Sequence, residues 1–314
     1  MIVVTGACGF IGSNLVHALN ARGRRDLVLV DDLKDGHKFV NLAGATLADY
    51  VDWREFPAQF ERLASSGSGI DVVYHLGACS DTMEWDGQYM MATNFTFSKQ
   101  LLDLCDSHGV PLVYASSASV YGHSGQCVET PDCERPLNVY AFSKLAFDQH
   151  LRQRMPLLKT RVVGLRYFNV YGPREQHKGR MASVMYHFHQ QLVAGDEVRL
   201  FDASHGVAAG EQCRDFIHVD DAVAQTLWCG EHPELSGIVN CGTGRTATFN
   251  EVAAAVIRWH GRGRIAYIPF PPSLLAAYQN RTCADLTRLR AAGFAVEMRD
   301  VSAGVRAYLD WLGS

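Results

Sequence analysis

The 314-residue sequence lacks the features that would assign it to a membrane or to a nucleic acid. No apolar run approaches the roughly 20 residues of a membrane-spanning helix. The first residues are apolar but carry no basic leader and run into a glycine turn, which argues against a signal peptide. The formal net charge is -4 and the sequence pI about 6.3, so no broad basic field exists for a polyanion. We therefore expect neither a membrane nor a nucleic acid as a partner.

The sequence also lacks a cysteine pattern that would bind zinc or form a disulfide framework. The nine cysteines include no C-x-x-C pair and no zinc spacing, and their odd number fits reduced thiols. They lie at positions 8, 79, 105, 127, 133, 213, 229, 241 and 283. We predict a cytoplasmic protein without a metal site.

Short β-branched runs alternate with longer helical patterns through the first half of the chain. This alternation is typical of βαβ units and a parallel sheet. We predict strands at 2–4, 27–30, 72–75, 112–115 and 161–165. We predict helices at about 12–22, 88–108 and 140–154. Sheets of this kind bind ligands at the carboxyl ends of their strands.

The alternation becomes irregular after Arg166, where a proline, a polar stretch and a glycine-rich loop follow. Residues 215–221 are expected to form a strand that leads into a capped helix and returns briefly to the main sheet. The length suits a nucleotide-binding domain plus a smaller lobe. The predicted fold class is α/β, a Rossmann-type doubly wound parallel sheet with a smaller C-terminal α/β lobe. The predicted domain boundaries are 1–170, rejoined by about 213–232, for the Rossmann domain, and 171–212 with 233–314 for the smaller lobe.

A G-x-x-G-x-x-G loop, formed by Gly6, Gly9 and Gly12, follows the first strand and opens the first helix. Glycines permit a tight turn and a close approach to pyrophosphate, whose charge is favoured at a helix amino terminus. A glycine pattern alone also fits an ordinary strand-to-helix turn. Asp31 ends the second strand about 20 residues later, where an acidic residue meets the adenosine ribose. Lys38, with Arg54 further on, would neutralise a 2′-phosphate, so the residues leave NAD and NADP open. Lys38 also fits a solvated loop lysine.

Tyr140 and Lys144 are four residues apart and share one helical face. Tyrosine titrates at about 10 in model peptides, so a general base at neutral pH needs nearby positive charge. Lys144 and an oxidised nicotinamide ring supply that charge. Ser117 follows a strand and is predicted to orient the alcohol of the substrate beside Tyr140. A bare Y-x-x-x-K occurs by chance in many helices, but with the glycine loop and the strand-end serine it predicts redox catalysis.

These motifs, in this order, resemble the extended short-chain dehydrogenase/reductases, which mostly act on nucleotide sugars. The resemblance covers nearly the whole chain. Closer matching blocks lie at 75–80, 84–87, 136–140 and 166–175, and the last continues as Q-H-K-G-R-M-A-S. Together they resemble one branch of that family, the ADP-glycero-manno-heptose 6-epimerases. R-Y-F-N-V-Y-G-P-R occurs widely in the family, whereas H-K-G-x-M-A-S is much more specific.

The resemblance implies the inversion of C-6 in ADP-D-glycero-D-manno-heptose, for synthesis of the lipopolysaccharide inner core. NADP would transiently oxidise the exocyclic carbinol, and hydride would return to the other face of the ketone. One acid/base group then serves each stereochemical course, and the resemblance gives these roles to Tyr140 and Lys178. From the residues alone, a lysine in a polar segment such as Lys178 is more often a surface charge.

The same resemblance implies the residues that bind each ligand. The sugar nucleotide would be bound by Asn169, Arg180, His187, Phe201, Asp202, Ala203, Ser204, Arg214 and Tyr278. The cofactor would be bound, besides the glycine loop, by Phe10, Ile11, Asp31, Asp32, Lys38, Leu76, Gly77, Ala78, Cys79, Ser80, Lys144, Val170 and Lys178. Arginines suit a diphosphate because their planar fork matches phosphate oxygens. From the residues alone, Tyr278 and His187 also fit packed structural roles.

The chain departs from familiar members of the branch at several cofactor positions. Asp32 stands in place of Asn, Leu76 in place of Glu, Trp53 in place of Lys, and Thr93 in place of an Asn that contacts the cofactor. A carboxylate at Asp32 opposes a 2′-phosphate. We therefore expect NADP with reduced selectivity over NAD.

Other functions remain open from the sequence. The first is another nucleotide-sugar epimerase of the family, of the UDP-hexose 4-epimerase type, whose catalytic centre would look the same. A dehydratase fits less well, because Ala118 and Ser119 stand where those enzymes place an Asp-Glu pair. A non-catalytic dinucleotide sensor fits less well too, because Tyr140, Lys144 and Ser117 are all present. The resemblance also implies a homo-oligomer, pentameric or larger.

Overall fold

The computed structural model describes residues 1–67, 69–204, 206–271 and 279–314. Strands and helices alternate through the first half of the chain. The strands are β1 (Ile2–Thr5), β2 (Leu27–Asp31), β3 (Asp49–Asp52), β4 (Val72–His75), β5 (Leu112–Ser117), β6 (Val162–Tyr167), β7 (Asn169–Tyr171), β8 (Glu197–Phe201), β9 (Cys213–Arg214), β10 (Phe216–His218), β11 (Gly237–Cys241), β12 (Ala247–Thr248) and β13 (Arg264–Ile268). The helices are α1 (Phe10–Ala21), α2 (Phe56–Ala64), α3 (Gly87–Met91), α4 (Phe97–His108), α5 (Val139–Arg154), α6 (Val184–Ala194), α7 (Val219–Glu231), α8 (Phe249–His260), α9 (Thr287–Ala291) and α10 (Val301–Leu312).

The main sheet has seven strands in the order β11-β6-β5-β4-β1-β2-β3. β1 pairs in parallel with β2 and β4, and the pairs β2–β3 and β4–β5 are also parallel. The strand order reverses between β1 and β4, which is where doubly wound sheets bind their ligands. The predicted Rossmann-type fold class is confirmed.

Burial explains why the strands of this sheet are recognisable in the sequence. Every residue of β1, β2 and β4 is buried, so these strands read as nearly continuous apolar runs. One apolar cluster joins Val3 of β1 to Phe60 of α2, Leu101 of α4 and Phe147 of α5. β3 was not predicted, because only Val51 of its residues is buried.

The strand at residues 216–218 differs from the prediction. β10 pairs in parallel with β7, in a separate two-stranded sheet, and does not join the main sheet. The strand that returns to the main sheet is β11, which follows α7 and is buried throughout. The polar Asn240 interrupts its short apolar run. The Asn240 side chain donates to the carbonyls of Cys127 and Asp285 at 2.7 and 3.0 Å and accepts from the Tyr121 hydroxyl at 2.6 Å.

The helix predicted at 88–108 is divided into three parts. α3 and α4 are joined by a π-helical turn, Ala92–Thr96. Turns of this kind are rare and occur frequently at functional sites. The Asn94 side chain points inward from this turn and is 1% exposed.

The chain forms two compact units. Unit 1 comprises Met1–Val120, Pro136–Arg166 and Val223–Val239, and unit 2 comprises Tyr121–Arg135, Tyr167–Ala222 and Asn240–Ser314. In unit 2, the strand pairs β10–β7, β12–β9 and β13–β8 form small sheets. Its apolar core is drawn from β8, β10, α6, α8 and α10.

In the part of the chain that the structure describes, no helix is both long and apolar enough to cross a lipid bilayer. Those same residues contain no group of three or more His, Cys, Asp or Glu side chains placed to hold a metal ion.

Candidate active site

The glycine loop between β1 and α1 requires glycine for steric reasons. Gly6 has φ +66°, and a Cβ on it would lie 2.6 Å from the backbone nitrogen of Gly77. A Cβ on Gly12 would lie 2.0 Å from the carbonyl oxygen of Gly6. These contacts are with backbone, which cannot move aside as a flexible side chain can. The loop therefore holds the start of α1 directly against the ends of β1 and β4.

The amino terminus of α1 is left open by its own side chains. Gly9 occupies the N-cap without a side-chain hydrogen bond, and the first turn, which contains Phe10 and Ile11, has no acidic residue. The positive end of the helix dipole favours a negatively charged group here. The loop and this helix end thus fit the pyrophosphate of a dinucleotide.

Asp31, at the end of β2, joins the glycine loop to Lys38. One carboxylate oxygen accepts from the backbone N–H of Cys8 at 2.9 Å. The other accepts from the N–H of Asp32 at 2.9 Å and from the Lys38 ammonium at 3.0 Å. Burial opposes the charge on Lys38, but the carboxylates of Asp31 and Asp32 outweigh it and raise the pKa of Lys38. Lys38 is therefore charged and packed against Asp31 rather than solvated in its loop.

Asp32 lies between two cations. Its carboxylate is 3.9 Å from the Lys38 ammonium and 3.8 Å from the guanidinium of Arg54. Arg54 also pairs with Asp52 and lies 4.8 Å from the centre of the Trp53 ring. The positive charges near the end of β2 are thus already matched by carboxylates.

The residues after β4 are held by a chain of hydrogen bonds through His75. Thr5 Oγ1 accepts from the backbone N–H of Gly77 at 3.0 Å, so its own hydrogen is directed to His75 Nδ1 at 2.7 Å. His75 Nε2 then donates to Ser98 Oγ at 2.8 Å, and Ser98 donates to the carbonyl of Asn94 at 2.7 Å. Burial lowers the pKa of His75 to about 3, which keeps the ring neutral. This chain fixes the start of the predicted cofactor segment, residues 76–80.

Asn94, on the π-helical turn, links that segment to α5. Its side-chain oxygen accepts from the N–H of Cys79 at 2.8 Å, and its nitrogen donates to the carbonyl of Cys79 at 3.0 Å. The same nitrogen donates to Ser143 Oγ at 3.0 Å, and Ser143 donates to the carbonyl of Tyr140 at 2.7 Å. Sequence reasoning missed Asn94, because no local pattern distinguishes it from its neighbour Thr93. Thr93 itself is directed to its own helix, donating to the carbonyl of Tyr89 at 2.7 Å.

Ser117 and Tyr140 are brought together as predicted. A hydrogen bond with Ser117 lowers the pKa of the Tyr140 phenol, although burial outweighs it and the net pKa is raised. Ser119 donates to Ser117 Oγ from its backbone at 3.2 Å and from its hydroxyl at 2.8 Å. Because these two bonds occupy the lone pairs of Ser117 Oγ, its hydrogen is free to point at the phenol. Ser119 is a second residue that sequence reasoning missed.

Lys144, one helical turn beyond Tyr140, is directed at a backbone carbonyl. The Lys144 ammonium donates to the carbonyl of Ala115 at 2.9 Å. Burial lowers the pKa of Lys144 to about 8, and Asp148 opposes this shift. Burial raises the pKa of Tyr140, and the opposing contribution from the protein comes from Ser117. The protein groups alone therefore do not make the phenol acidic.

Asp148 and Arg166 form a buried ion pair beneath this centre. Both side chains are 0% exposed, and Asp148 Oδ2 accepts from Arg166 at 2.8 and 2.9 Å and from Ser116 Oγ at 2.9 Å. Asp148 Oδ1 accepts from the Tyr114 hydroxyl at 2.8 Å. The pair fastens α5 to β5 and β6, one helical turn beyond Lys144. The spacing Y-x-x-x-K-x-x-x-D is the signal that sequence reasoning left unused.

Cys79 lies near both Tyr140 and Lys144, since its thiol contributes to the pKa of each. Burial raises the pKa of the Cys79 thiol. A protonated thiol is a poor nucleophile, so packing accounts for this residue.

In unit 2, Lys178 and Arg180 lie in the loop between β7 and α6. Lys178 is half-buried; burial lowers its pKa, and Glu175 opposes the shift. Arg180 is exposed, and His187 Nε2 lies 3.4 Å from its carbonyl oxygen. The structure thus brings His187 to the loop that carries Lys178.

A second group of predicted residues follows β8. Phe201 ends that strand, Asp202 and Ala203 are exposed, and Ser204 is buried. Gln212, which is 1% exposed, donates to Ser204 Oγ at 3.2 Å and to the carbonyl of Asp202 at 3.4 Å. Gln212 is a further residue that sequence reasoning missed, and it ties this segment to β9.

Arg214, on β9, is buried with its guanidinium 5.7 Å from the centre of the Phe249 ring. Its neighbour Asp215 is fully buried and accepts from the N–H groups of the 243–244 turn and of Ala284. The Asp215 carbonyl accepts from the N–H of Asn169 at 3.1 Å. Asn169 and Val170 of β7 therefore lie beside the segment that carries Arg214. Tyr278 lies outside the described residues.

Comparison with known proteins agrees with this geometry. The model of the NAD dependent epimerase/dehydratase family matches residues 2–242. The ADP-L-glycero-D-manno-heptose-6-epimerase of Alkalilimnicola ehrlichii is 57% identical over 311 residues, which cover 99% of this chain and 97% of that enzyme. The predicted resemblance to the heptose epimerase branch is confirmed.

Solved structures give the same result. The ADP-L-glycero-D-manno-heptose-6-epimerase of Helicobacter pylori is 29% identical with a TM-score of 0.87, and the match covers 100% of this chain and 96% of that one. UDP-glucose 4-epimerase from Thermotoga maritima, solved with UDP-glucose, is 27% identical with a TM-score of 0.82, and the match covers 99% and 98% of the two chains. Since the family model spans more than half of the sequence, the chain belongs to the NAD dependent epimerase/dehydratase family.

Proposed function

We propose that this chain is the epimerase that inverts C-6 of the heptose in ADP-D-glycero-D-manno-heptose, giving ADP-L-glycero-D-manno-heptose. The product is a precursor of the lipopolysaccharide inner core. The observation that carries the proposal is the likeness to the Alkalilimnicola ehrlichii enzyme over nearly the full length of both chains. The arrangement of Ser117, Tyr140 and Lys144 at the ends of β5 and α5 supports it.

Unit 1 supplies the groups that handle the proton of the reacting alcohol. Ser117, oriented by Ser119, holds the alcohol in place, and Tyr140 accepts or returns its proton. A bound dinucleotide would supply hydride uptake and return, and positive charge while oxidised. Tyr140 needs such positive charge to act as a base, because burial raises the pKa of its phenol. Lys144, whose ammonium bonds the Ala115 carbonyl, would belong to the cofactor site.

Lys178 serves as the second acid/base group, for the opposite stereochemical course. Burial lowers its pKa, which brings the ammonium closer to proton exchange near neutral pH. We assign sugar-nucleotide binding to unit 2. Arg180 and Arg214 bind the diphosphate, because a guanidinium matches phosphate oxygens in a planar fork. Asn169, His187, the segment 201–204 and Tyr278 complete the set.

The chain binds a nicotinamide dinucleotide, and we propose that it prefers NADP with reduced selectivity over NAD. Lys38 and Arg54 favour a 2′-phosphate. However, the carboxylate of Asp31 is 3.0 Å from the Lys38 ammonium, and that of Asp32 lies within 4 Å of both Lys38 and Arg54. These carboxylates offset part of the positive charge that a 2′-phosphate would meet. Calorimetric titration with each dinucleotide tests this. Asp32→Asn should tighten NADP and leave NAD unchanged; tighter or equal binding of NAD by the wild type would overturn the preference.

We further propose that the enzyme is cytoplasmic and forms a homo-oligomer, pentameric or larger. The division into a Rossmann domain at 1–170, with a return at about 213–232, and a substrate-binding lobe at 171–212 with 233–314 stays a prediction. Gel filtration with light scattering measures the oligomeric state. A monomer at working concentration would reject that part of the proposal.

The alternative is an epimerase that inverts a ring carbon of a UDP-hexose. The likeness to the UDP-glucose 4-epimerase of Thermotoga maritima favours it as the second candidate. Purified protein is incubated with ADP-D-glycero-D-manno-heptose, and the C-6 configuration is followed by NMR. UDP-glucose is the parallel substrate. An unchanged heptose at high enzyme loading would reject the heptose assignment, and conversion of UDP-glucose in the same preparation would select the alternative.

A further inference from the structure

The loop that carries Lys178 is closed at both ends by one carboxylate. The loop runs from Gly172, just after β7, to Ser183, just before α6. Glu175 Oε1 accepts from Ser183 Oγ at 2.6 Å and from the backbone N–H of Gly172 at 3.3 Å. Glu175 Oε2 accepts from the backbone N–H of Ser183 at 2.6 Å. The carboxylate therefore joins the two ends of the segment that presents Lys178.

Glu175 is 0% exposed, which is an expensive position for a carboxylate. Burial raises its pKa, while the bonds from Ser183, the charge of Lys178 and the bond from Gly172 lower it. Tyr308 of α10 packs against the same group, and burial together with Glu175 raises the pKa of that phenol. The hydrogen-bond donors around Glu175 stabilise its carboxylate in this buried position, so it is not a solvated loop residue.

The backbone on either side of Lys178 is fixed by the same loop. The N–H of Lys178 donates to the carbonyl of Glu175 at 2.9 Å, and the N–H of Ala182 donates to the carbonyl of Gly179 at 3.0 Å. Gly179 makes the turn with φ +53°. Ser183 in turn caps α6, accepting from the N–H of Tyr186 at 3.4 Å. The position of Lys178 therefore depends on Glu175 directly and on α6 through Ser183.

We propose that Glu175 is a positioning residue for Lys178: its carboxylate closes the 172–183 loop and holds the ammonium in the place from which it exchanges a proton with the substrate. The proposal rests on the proposed function, in which Lys178 is the second acid/base group. The negative charge of Glu175 also faces Lys178 and opposes the effect of burial on its pKa. Glu175 thus affects both the position of the Lys178 side chain and its pKa.

The test compares Glu175→Gln with Glu175→Asp in the holoenzyme. The amide of Gln keeps the shape but presents a donor where Ser183 and Gly172 also donate. A displacement of the order of 1 Å costs about 10²-fold in rate, so kcat of Glu175→Gln should fall by about that factor. Loss of the charge should also move the pH profile of kcat to lower pH, by about one unit. Glu175→Asp keeps the charge, so its profile should stay at the wild-type pH although kcat falls.

Controls separate positioning from folding. Glu197→Gln makes the same chemical change at an exposed ion pair with Arg264 in unit 2, and should keep wild-type activity. Ser183→Ala removes one donor but leaves the carboxylate, and should lower kcat less than Glu175→Gln. It remains informative if Glu175→Gln does not fold. Thermal unfolding and dinucleotide titration are measured for every variant.

The outcomes distinguish the inference from the proposed function. A wild type that leaves the heptose unchanged rejects the proposed function. A fully active Lys178→Met rejects the acid/base role of Lys178 and, with it, the inference. An inactive Lys178→Met together with a Glu175→Gln that keeps the wild-type kcat and pH profile rejects the inference alone. A fall in kcat without a pH shift, matched by lower thermal stability, also rejects it, because a merely structural role would give that result.

Discussion

Asn94 offers the sharpest test of how unit 1 positions the cofactor segment. The perturbation is Asn94→Ala, which removes the side chain that pairs with both backbone groups of Cys79 and with Ser143. Asn94 itself is 1% exposed, and Cys79 is half-buried. The substitution therefore takes away the Asn94 bonds of both backbone groups of Cys79.

The magnitude follows from those groups. Each buried donor or acceptor left unsatisfied costs about 1–3 kcal/mol, so the half-buried N–H and C=O of Cys79 together give at most about 6 kcal/mol. This corresponds to a fall on the order of 10 °C in the melting temperature of a domain of this size. Because Ser143 bonds the carbonyl of Tyr140, we also expect kcat to fall by about tenfold or more.

The assay combines thermal unfolding, dinucleotide titration and kcat. Asn94→Asp is the matched comparison, since it keeps the acceptor for the Cys79 N–H but loses the bonds donated to the Cys79 carbonyl and to Ser143. It should lie between the wild type and Asn94→Ala in stability. Thr93→Ala is the neighbouring control, because Thr93 bonds only its own helix in the contacts described above. An Asn94→Ala variant with wild-type stability and kcat would refute this account of the turn.

Other substitutions test the remaining parts of the site. Tyr140→Phe and Lys178→Met should each lower kcat by about 10²- to 10⁴-fold and leave dinucleotide binding largely intact, and full activity in either variant would remove its assigned role. Gly12→Ala should abolish dinucleotide binding, because the added Cβ would lie 2.0 Å from a backbone oxygen, whereas Gly67→Ala, with open space around it, should bind normally. The pKa of Lys144 is about 8 in the folded protein and 10.5 in the unfolded chain, so the folded protein binds this proton less readily. The free energy of unfolding of the wild type should therefore rise between pH 8 and pH 10.5, by about 3 kcal/mol at most. Lys144→Met should lack this rise. Parallel pH curves of unfolding free energy for wild type and Lys144→Met would contradict that shift.

The sequence predicts the sheet well where burial is uniform. β1, β2 and β4 are apolar because both faces are covered, and this pattern is visible in a short window of residues. β11 was not predicted, because Asn240 interrupts it for a reason found far along the chain, in the carbonyls of Cys127 and Asp285. The pairing of β10 with β7 likewise depends on contacts that no local pattern contains.

The candidate site is also only partly recognisable from the sequence. Tyr140 and Lys144 are recognisable by their spacing along one helix, and Ser117 by its place at the end of a strand. The residues that hold them are recognisable only in three dimensions. Ser119 becomes relevant through its bonds to Ser117, and Glu175 through its bonds to both ends of a loop. Spacing also does not reveal that the Lys144 ammonium is directed at the carbonyl of Ala115.

The turn Ala92–Thr96 has a consequence for local stability. In a π-helical turn each backbone hydrogen bond joins residues five apart, one more than in an α-helix. This geometry is less favourable than that of the flanking helices. The amide hydrogens of residues 92–96 should therefore exchange with deuterated solvent sooner than those in the middle of α4. Dinucleotide, by immobilising the neighbouring 76–80 segment, should slow that exchange, which makes this turn a local reporter of cofactor occupancy.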